Sequence, residues 1–234
     1  MQLIASNRMQ YLVLAGLSIG VIGLAGILYF SDNLLFRRII CIVNPLIAFS
    51  TMMFLGVILF SFLLYQGWFS IIKRENLAGL FRYSGFAALF VIVSILVDLK
   101  VGFPADMNIP FPKSLLFYPA IGFLVEIVFH VLPLTVLLIS LTTIFKDISY
   151  TSILWICIMI VALLEPVFQV SLMITSSHFP LWALCLVWLN IFMFNLSQLI
   201  IFNRYDFISM YSFRLVYYLF WHIGWGYLRL KILF

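Results

Sequence analysis

Five ionisable side chains lie within apolar stretches that are long enough to cross a bilayer: Glu126, His130, Glu165, Arg214 and His222. Charge in hydrocarbon is costly, so such residues usually face a partner, a water-filled cavity or a reaction. Glu126 and His130 are four residues apart, which places both side chains on one face of a helix. A carboxylate beside an imidazole can share a proton or activate water. These residues predict a site for acid–base chemistry, with a hydrogen-bonded pair that fixes helix packing as the structural alternative.

The same spacing recurs in two later segments. Glu165 and Gln169 share one helix face, and Arg214 and Tyr218 share another. An arginine inside a membrane seeks a carboxylate, so Arg214 is expected to neutralise Glu126 or Glu165. Gln169 and Tyr218 are then candidates for contact with a substrate. A purely structural Arg–Glu pair is the strongest competing interpretation.

The ionisable residues also allow a cofactor. Two carboxylates and two imidazoles suit several divalent metals, which makes Glu126, His130, Glu165 and His222 a candidate ligand set. The sequence has no His-Glu-x-x-His motif, which excludes a zinc-protease site of that kind. His130 and His222 would also suit the two axial positions of a haem, a less favoured alternative. The sequence leaves the identity of any cofactor open.

Composition places these residues in a membrane protein. Of the 234 residues, 65% are hydrophobic and only 9% are charged. Soluble domains have about 25% charged residues, and the mean hydropathy of +1.21 is far from theirs. The net charge of +5 comes from scattered basic residues and indicates no nucleic-acid partner. The lipid bilayer is therefore the expected surrounding, although the sequence does not fix which membrane it is.

The elements that must position the site are transmembrane helices, because lipid requires a backbone whose polar groups are paired internally. A span needs about 20 apolar residues, and this criterion predicts about seven spans, within a range of six to eight. Their predicted bounds are 11–30, 46–68, 84–97, 115–145, 152–174, 181–202 and 207–227. Pro133 and Pro166 fall inside predicted spans and should bend or break them. The predicted fold is an all-α, polytopic bundle that forms a single domain over residues 1–234.

At these residues the chain resembles the CPBP family of intramembrane proteases, which is also called the CAAX protease and bacteriocin-processing family. The first family motif is Glu-Glu-x-x-x-Arg, and this chain has Val125-Glu126-Ile-Val-Phe-His130. Val125 replaces the first glutamate, Glu126 keeps the second, and His130 replaces the arginine.

The two later family motifs correspond to segments with more substitutions. The second motif, Phe-x-x-x-His, is matched by Glu165 and Gln169, and the third, His-x-x-x-Asn, by Arg214 and Tyr218. His222 lies one turn beyond the third motif. The resemblance covers residues 114–225, which would form a CPBP-like core. It rests on the order, spacing and apolar context of the segments.

The resemblance implies an integral, multi-pass membrane endopeptidase that activates water with glutamate and histidine. Glu126, alone or with Glu165, would be the general base, His130 and His222 would orient the water or bind a metal, and Arg214 would stabilise negative charge. The substrate would be a membrane-embedded peptide. The alternative is a catalytically inactive module or an accessory subunit that binds a partner membrane subunit, because two motif histidines are missing.

Overall fold

The computed structural model describes residues 7–31, 35–36, 44–73, 75–76, 80–176 and 179–234. Within these residues the secondary structure is helical and contains no strand. The long helices in chain order are α1 (Arg8–Ser31), α2 (Pro45–Tyr65), α3 (Leu80–Val101), α4 (Ser114–Ile144), α5 (Tyr150–Ala162 and Leu164–Ser176), α6 (Leu181–Arg204) and α7 (Phe207–Tyr218, continued by Leu219–Trp225 and Gly226–Ile232).

Five helices of the described chain, α1, α2, α4, α5 and α6, are long and apolar enough to cross a membrane. This confirms the prediction of an all-helical integral membrane protein. The predicted spans at 84–97 and 207–227 fall in α3 and α7, which are not among the five. Helix α7 carries Arg214, Tyr218 and His222 within its length, which lowers its mean hydropathy.

Side-chain caps fix where the helices begin. Asn44 accepts a hydrogen bond from the Leu46 N–H at 2.9 Å, and Pro45 occupies the first helical position of α2, where no N–H is needed. Asp206 starts α7 by accepting from the Ser209 N–H at 2.8 Å. Asp206 is buried, so its hydrogen bond fixes the position from which α7 enters the bundle.

Two helices contain π-helical stretches. In α4 the stretch is Glu126–Val131, where the Leu132 N–H donates to the Ile127 carbonyl five residues earlier. Pro133 follows directly and cannot donate to the carbonyl one turn before it, so the predicted disturbance by Pro133 coincides with this stretch. In α7 the stretch is Leu219–Trp225. Each stretch rotates the side chains that follow it relative to a regular helix.

The predicted break at Pro166 also has a counterpart. The single turn residue Leu163 separates the two halves of α5, and Pro166 lies in the first turn of the second half. A proline is tolerated there because first-turn N–H groups have no partner within the helix. The break places Glu165 at the start of the second half.

The helices pack around α7. The first part of α7 lies against α3, α6 and the first half of α4, while α1 packs on α2 and α4, and α5 packs on α6 and α4. Aromatic side chains fill the interior, and the most buried of them include Phe60, Phe123, Phe202, Phe207 and Phe213. Residues 102–113 connect α3 to α4 and are called the 102–113 loop below. Helix α3 extends beyond its apolar run to Val101, so Asp98 is helical.

Candidate functional site

Arg214, on α7, lies at the centre of a buried cluster, and all five of its N–H groups donate to side chains. Its Nε donates to Glu126 Oε1 at 2.5 Å. Its Nη1 donates to Glu165 Oε1 at 3.1 Å and to the Tyr218 hydroxyl at 3.2 Å. Its Nη2 donates to Glu165 Oε2 and to Gln198 Oε1, both at 2.9 Å. The guanidinium thereby joins α4, α5, α6 and α7, and it has no donor left for a ligand.

Glu126 is enclosed by its partners. Its Oε1 accepts from Arg214 and from the Gln198 amide, and its Oε2 lies 2.6 Å from His130 Nδ1. Glu126 and His130 are both 0% exposed. Within the described chain, the other imidazole nitrogen, His130 Nε2, has no hydrogen-bond partner. The predicted Glu126–His130 contact is therefore present in the interior of the bundle.

Glu165 is held in a fork by the two terminal nitrogens of Arg214, a geometry that adds orientation to charge pairing. The Gln169 amide donates to Glu165 Oε1 at 2.8 Å, so the predicted face-sharing pair is formed. Glu165 Oε2 accepts only the Arg214 bond among the described residues. Glu126 Oε2 also has a single partner, His130, but Glu126 is fully enclosed, so Glu165 Oε2 is the oxygen with open capacity that belongs to a less enclosed residue.

A cavity of about 290 Å³ lies beside the cluster. Its wall includes Glu165, Gln169, Arg214, Tyr218 and His222, which are five of the seven site residues expected from the sequence. Glu126 and His130 are not in its wall. The structure therefore divides the predicted residues into a cavity-lining set and a fully enclosed pair.

His222 lies in a different part of the cavity wall from the ion cluster. Its Nδ1 is 2.8 Å from Asn108 Oδ1 of the 102–113 loop, and its ring stacks on Tyr118 with centroids 4.5 Å apart. Gly226 permits this close approach, because a Cβ there would lie 2.9 Å from the Asn108 amide nitrogen. His222 faces the same cavity as Glu165 but makes no contact with either glutamate.

A second buried ion pair was not predicted from the sequence. Arg229 donates to Asp98 through Nε at 2.7 Å and through Nη2 at 2.9 Å, and Trp225 Nε1 donates to the same carboxylate at 2.6 Å. Arg229 also donates to the carbonyls of Phe103 and Pro104. The pair fastens the end of α7 to α3 and to the start of the 102–113 loop. The signal available in the sequence was the acidic residue in the last turn of α3.

The candidate metal ligands do not form one group. In the described chain, no three His, Cys, Asp or Glu side chains lie close enough together to hold a metal ion. Glu126 contacts His130, Glu165 lies across Arg214, and His222 is bonded to the 102–113 loop. The two histidines occupy separate surroundings, which does not suit a haem held between them.

No protein-family model, curated protein or solved structure matches this chain. The ion cluster and the adjoining cavity are therefore the observations from which a function is proposed below.

Proposed function

We propose that the chain is a CPBP-like intramembrane endopeptidase in which Glu165 activates water. The observation that carries the proposal is the position of Glu165, which is 4% exposed and lines the cavity with one carboxylate oxygen only singly bonded. Arg214 fixes this carboxylate in orientation. A general base must be oriented and must reach a water molecule. In the cluster, Glu165 meets both conditions better than Glu126, whose two oxygens are enclosed.

In this mechanism Glu165 Oε2 accepts a proton from water, and the water oxygen attacks the carbonyl carbon of the peptide bond. The C–N bond then breaks as Glu165 returns the proton to the leaving nitrogen. The Tyr218 hydroxyl accepts a bond from Arg214, which leaves its own hydrogen free to donate to the developing oxyanion. Glu126 and His130 are positioning residues, because they hold Arg214 and do not reach the cavity.

The proposal includes seven membrane crossings, with α3 and α7 completing the five most apolar helices. The first part of α7 is covered by α3 and α6, whereas α3 presents an exposed apolar face that includes Leu89, Ile92 and Leu96 and suits contact with lipid. A central helix of a bundle can carry more polar residues than one that faces lipid. Residues 114–225, which carry the CPBP resemblance, contain Glu126, Glu165 and Arg214, and the convergence of these three side chains supports the resemblance.

A non-catalytic membrane module is the second candidate. The observation that favours it is the complete hydrogen bonding of Arg214 and the enclosure of Glu126, which together resemble a network that fixes helix packing. Such a module would bind a partner membrane subunit. Purification of the chain with a stable partner, and without turnover of any peptide, would favour this candidate.

The test uses the full chain reconstituted in lipid nanodiscs with a panel of membrane-inserted reporter peptides, and cleavage products are identified by mass spectrometry. We expect the wild-type chain to cleave at least one peptide. Glu165→Gln should lower the rate by roughly 100-fold or more, the usual contribution of a general base. Asp147→Asn, which changes an exposed carboxylate outside the cavity wall, is the matched control and should leave the rate unchanged.

Two results would overturn the proposal. One is the absence of cleavage by the wild-type chain across the panel. The other is cleavage by Glu165→Gln at the wild-type rate, since the carboxylate proposed to activate water would then not be required.

A further inference from the structure

The cluster leaves two hydrogen-bond acceptors open toward the cavity. Arg214 donates all five of its N–H groups within the cluster, and Gln169 donates one amide N–H to Glu165. Glu165 Oε2 can accept a further bond, and the Gln169 carbonyl oxygen accepts none from the described residues. A ligand that satisfies these two oxygens must donate hydrogen bonds to them.

The charge of the cluster is also unbalanced. Glu126 and Glu165 contribute two negative charges against the single positive charge of Arg214. His130 Nδ1 lies 2.6 Å from Glu126 Oε2, and His130 Nε2 has no hydrogen-bond partner among the described residues. With both carboxylates ionised and the imidazole neutral, the cluster has one excess negative charge next to a cavity.

The rest of the wall also suits a cation. Arg214 is the one Lys or Arg side chain in the described wall. Six aromatic side chains also line it, namely Phe117, Tyr118, Phe194, Tyr217, Tyr218 and Trp221. Aromatic faces attract organic cations, most strongly where water is excluded. The volume of about 290 Å³ is at the lower limit for small-ligand pockets, so the ligand has to be small.

We propose that this cavity binds a small amphipathic amine through its primary ammonium group, which donates to Glu165 Oε2 and to the Gln169 carbonyl oxygen. The apolar body of the ligand then lies against the aromatic part of the wall. This site does not depend on the proposed hydrolysis. If the chain is also a peptidase, the amine occupies the carboxylate that activates water and inhibits cleavage.

An anionic ligand does not fit the same wall. A carboxylate or phosphate would approach the Glu165 carboxylate while Arg214 had no free N–H to offer it. Replacing a bond within the cluster would leave a buried carboxylate without its partner, at considerable cost. The sign of the ligand's charge is therefore the property that separates this proposal from its alternatives.

The experiment measures binding to the full chain in phosphatidylcholine nanodiscs by calorimetric titration with three probes of similar size: phenethylammonium, 2-phenylethanol and phenylacetate. We expect phenethylammonium to bind about tenfold more tightly than 2-phenylethanol, and phenylacetate to bind more weakly than either, because only the ammonium adds charge-assisted hydrogen bonds. This comparison needs no variant, so it does not depend on whether a mutant folds.

Variants then locate the site. Glu165→Gln should weaken phenethylammonium binding about tenfold, and Gln169→Met should weaken it severalfold, because each removes one acceptor of the ammonium. Asp147→Asn removes an exposed carboxylate outside the cavity wall and should leave the affinity unchanged. Phenylacetate binding as tightly as phenethylammonium, no binding of phenethylammonium, or wild-type affinity in Glu165→Gln would each overturn the assignment. Binding is measured without peptide cleavage, so either proposal can fail alone.

Discussion

Replacing Arg214 by methionine tests whether the guanidinium holds the bundle together. Arg214 is 1% exposed and joins four helices, and Arg214→Met keeps an unbranched apolar side chain at the site while removing all five donated hydrogen bonds. Glu126 and Glu165 would then face each other's charge without a cation.

The expected loss in the free energy of unfolding is about 3–5 kcal/mol, the usual cost of removing one partner from a buried ion pair. The loss should fall near the upper end of that range because two carboxylates lose their partner at once. Proton uptake by the carboxylates limits the loss, since a buried carboxyl becomes neutral when an isolated charge would cost more.

A compensated variant identifies the origin of the loss. Changing Glu126 and Glu165 to glutamine in the Arg214→Met background removes the unpaired charges, and replacing a whole buried ionic group is often close to neutral. This triple variant should recover at least half of the stability that Arg214→Met loses. Arg204→Met, at the exposed end of α6, is the matched control and should change stability by less than about 0.5 kcal/mol.

Stability is measured by unfolding in mixed micelles of dodecylmaltoside and increasing dodecyl sulfate, followed by tryptophan fluorescence. A loss below about 1 kcal/mol for Arg214→Met would refute the central role of the guanidinium. A triple variant no more stable than Arg214→Met would refute the charge argument, because the loss would then come from packing alone.

Two further predictions concern the 102–113 loop and are checked in the same unfolding assay. Arg229→Met should lower the free energy of unfolding by about 3–5 kcal/mol, because it leaves Asp98 buried without its partner. The double variant Asp98→Asn/Arg229→Met should recover part of that loss. Equal losses for the single and double variants would contradict this explanation. Gly226→Ala should lower the free energy of unfolding by about 1–3 kcal/mol, because the added Cβ would lie as close as 2.9 Å to Asn108. Gly23→Ala is the control: its Cβ would have no neighbour within 4 Å, so the change should be neutral or stabilising.

The convergence of Glu126, Glu165 and Arg214 could be predicted from sequence because one physical rule determines it. A charge on a membrane-crossing helix must find an opposite charge, and the sequence has few candidates. The four-residue spacing of His130 from Glu126 and of Gln169 from Glu165 predicts two further contacts, and both are formed.

The same reasoning does not identify Gln198 or Asp98. Gln198 bridges Glu126 and Arg214 because it is the α6 residue that reaches the cluster, and this requires knowledge of how α6 packs. Asp98 and Arg229 lie beyond the apolar runs used to place the spans, so hydropathy assigned both to connections. Helices that continue past their apolar run can bury polar side chains in their last turn, and hydropathy alone does not detect this.

His222 shows a limit of spacing arguments. Counting two α-helical turns from Arg214 places His222 on the same face, directed at the glutamates. The π-helical stretch Leu219–Trp225 changes the number of residues per turn and rotates His222 to Asn108. Nothing in the residue types of this stretch distinguishes it from a regular helix, so this contact required the structure.

The stoichiometry of the cluster distinguishes a structural network from a functional site. One carboxylate is sufficient to neutralise Arg214, and Glu126 already fills that role inside the bundle. Adding Glu165 places a second buried carboxylate on the same guanidinium, which brings a desolvation cost without a second cation to offset it. A network that served packing alone would be more stable with an uncharged residue at position 165. With both carboxylates ionised, the excess charge lies in the cavity wall, where a proton from water or the ammonium group of a ligand can compensate it, and this is why both proposals assign the contact with a bound molecule to Glu165.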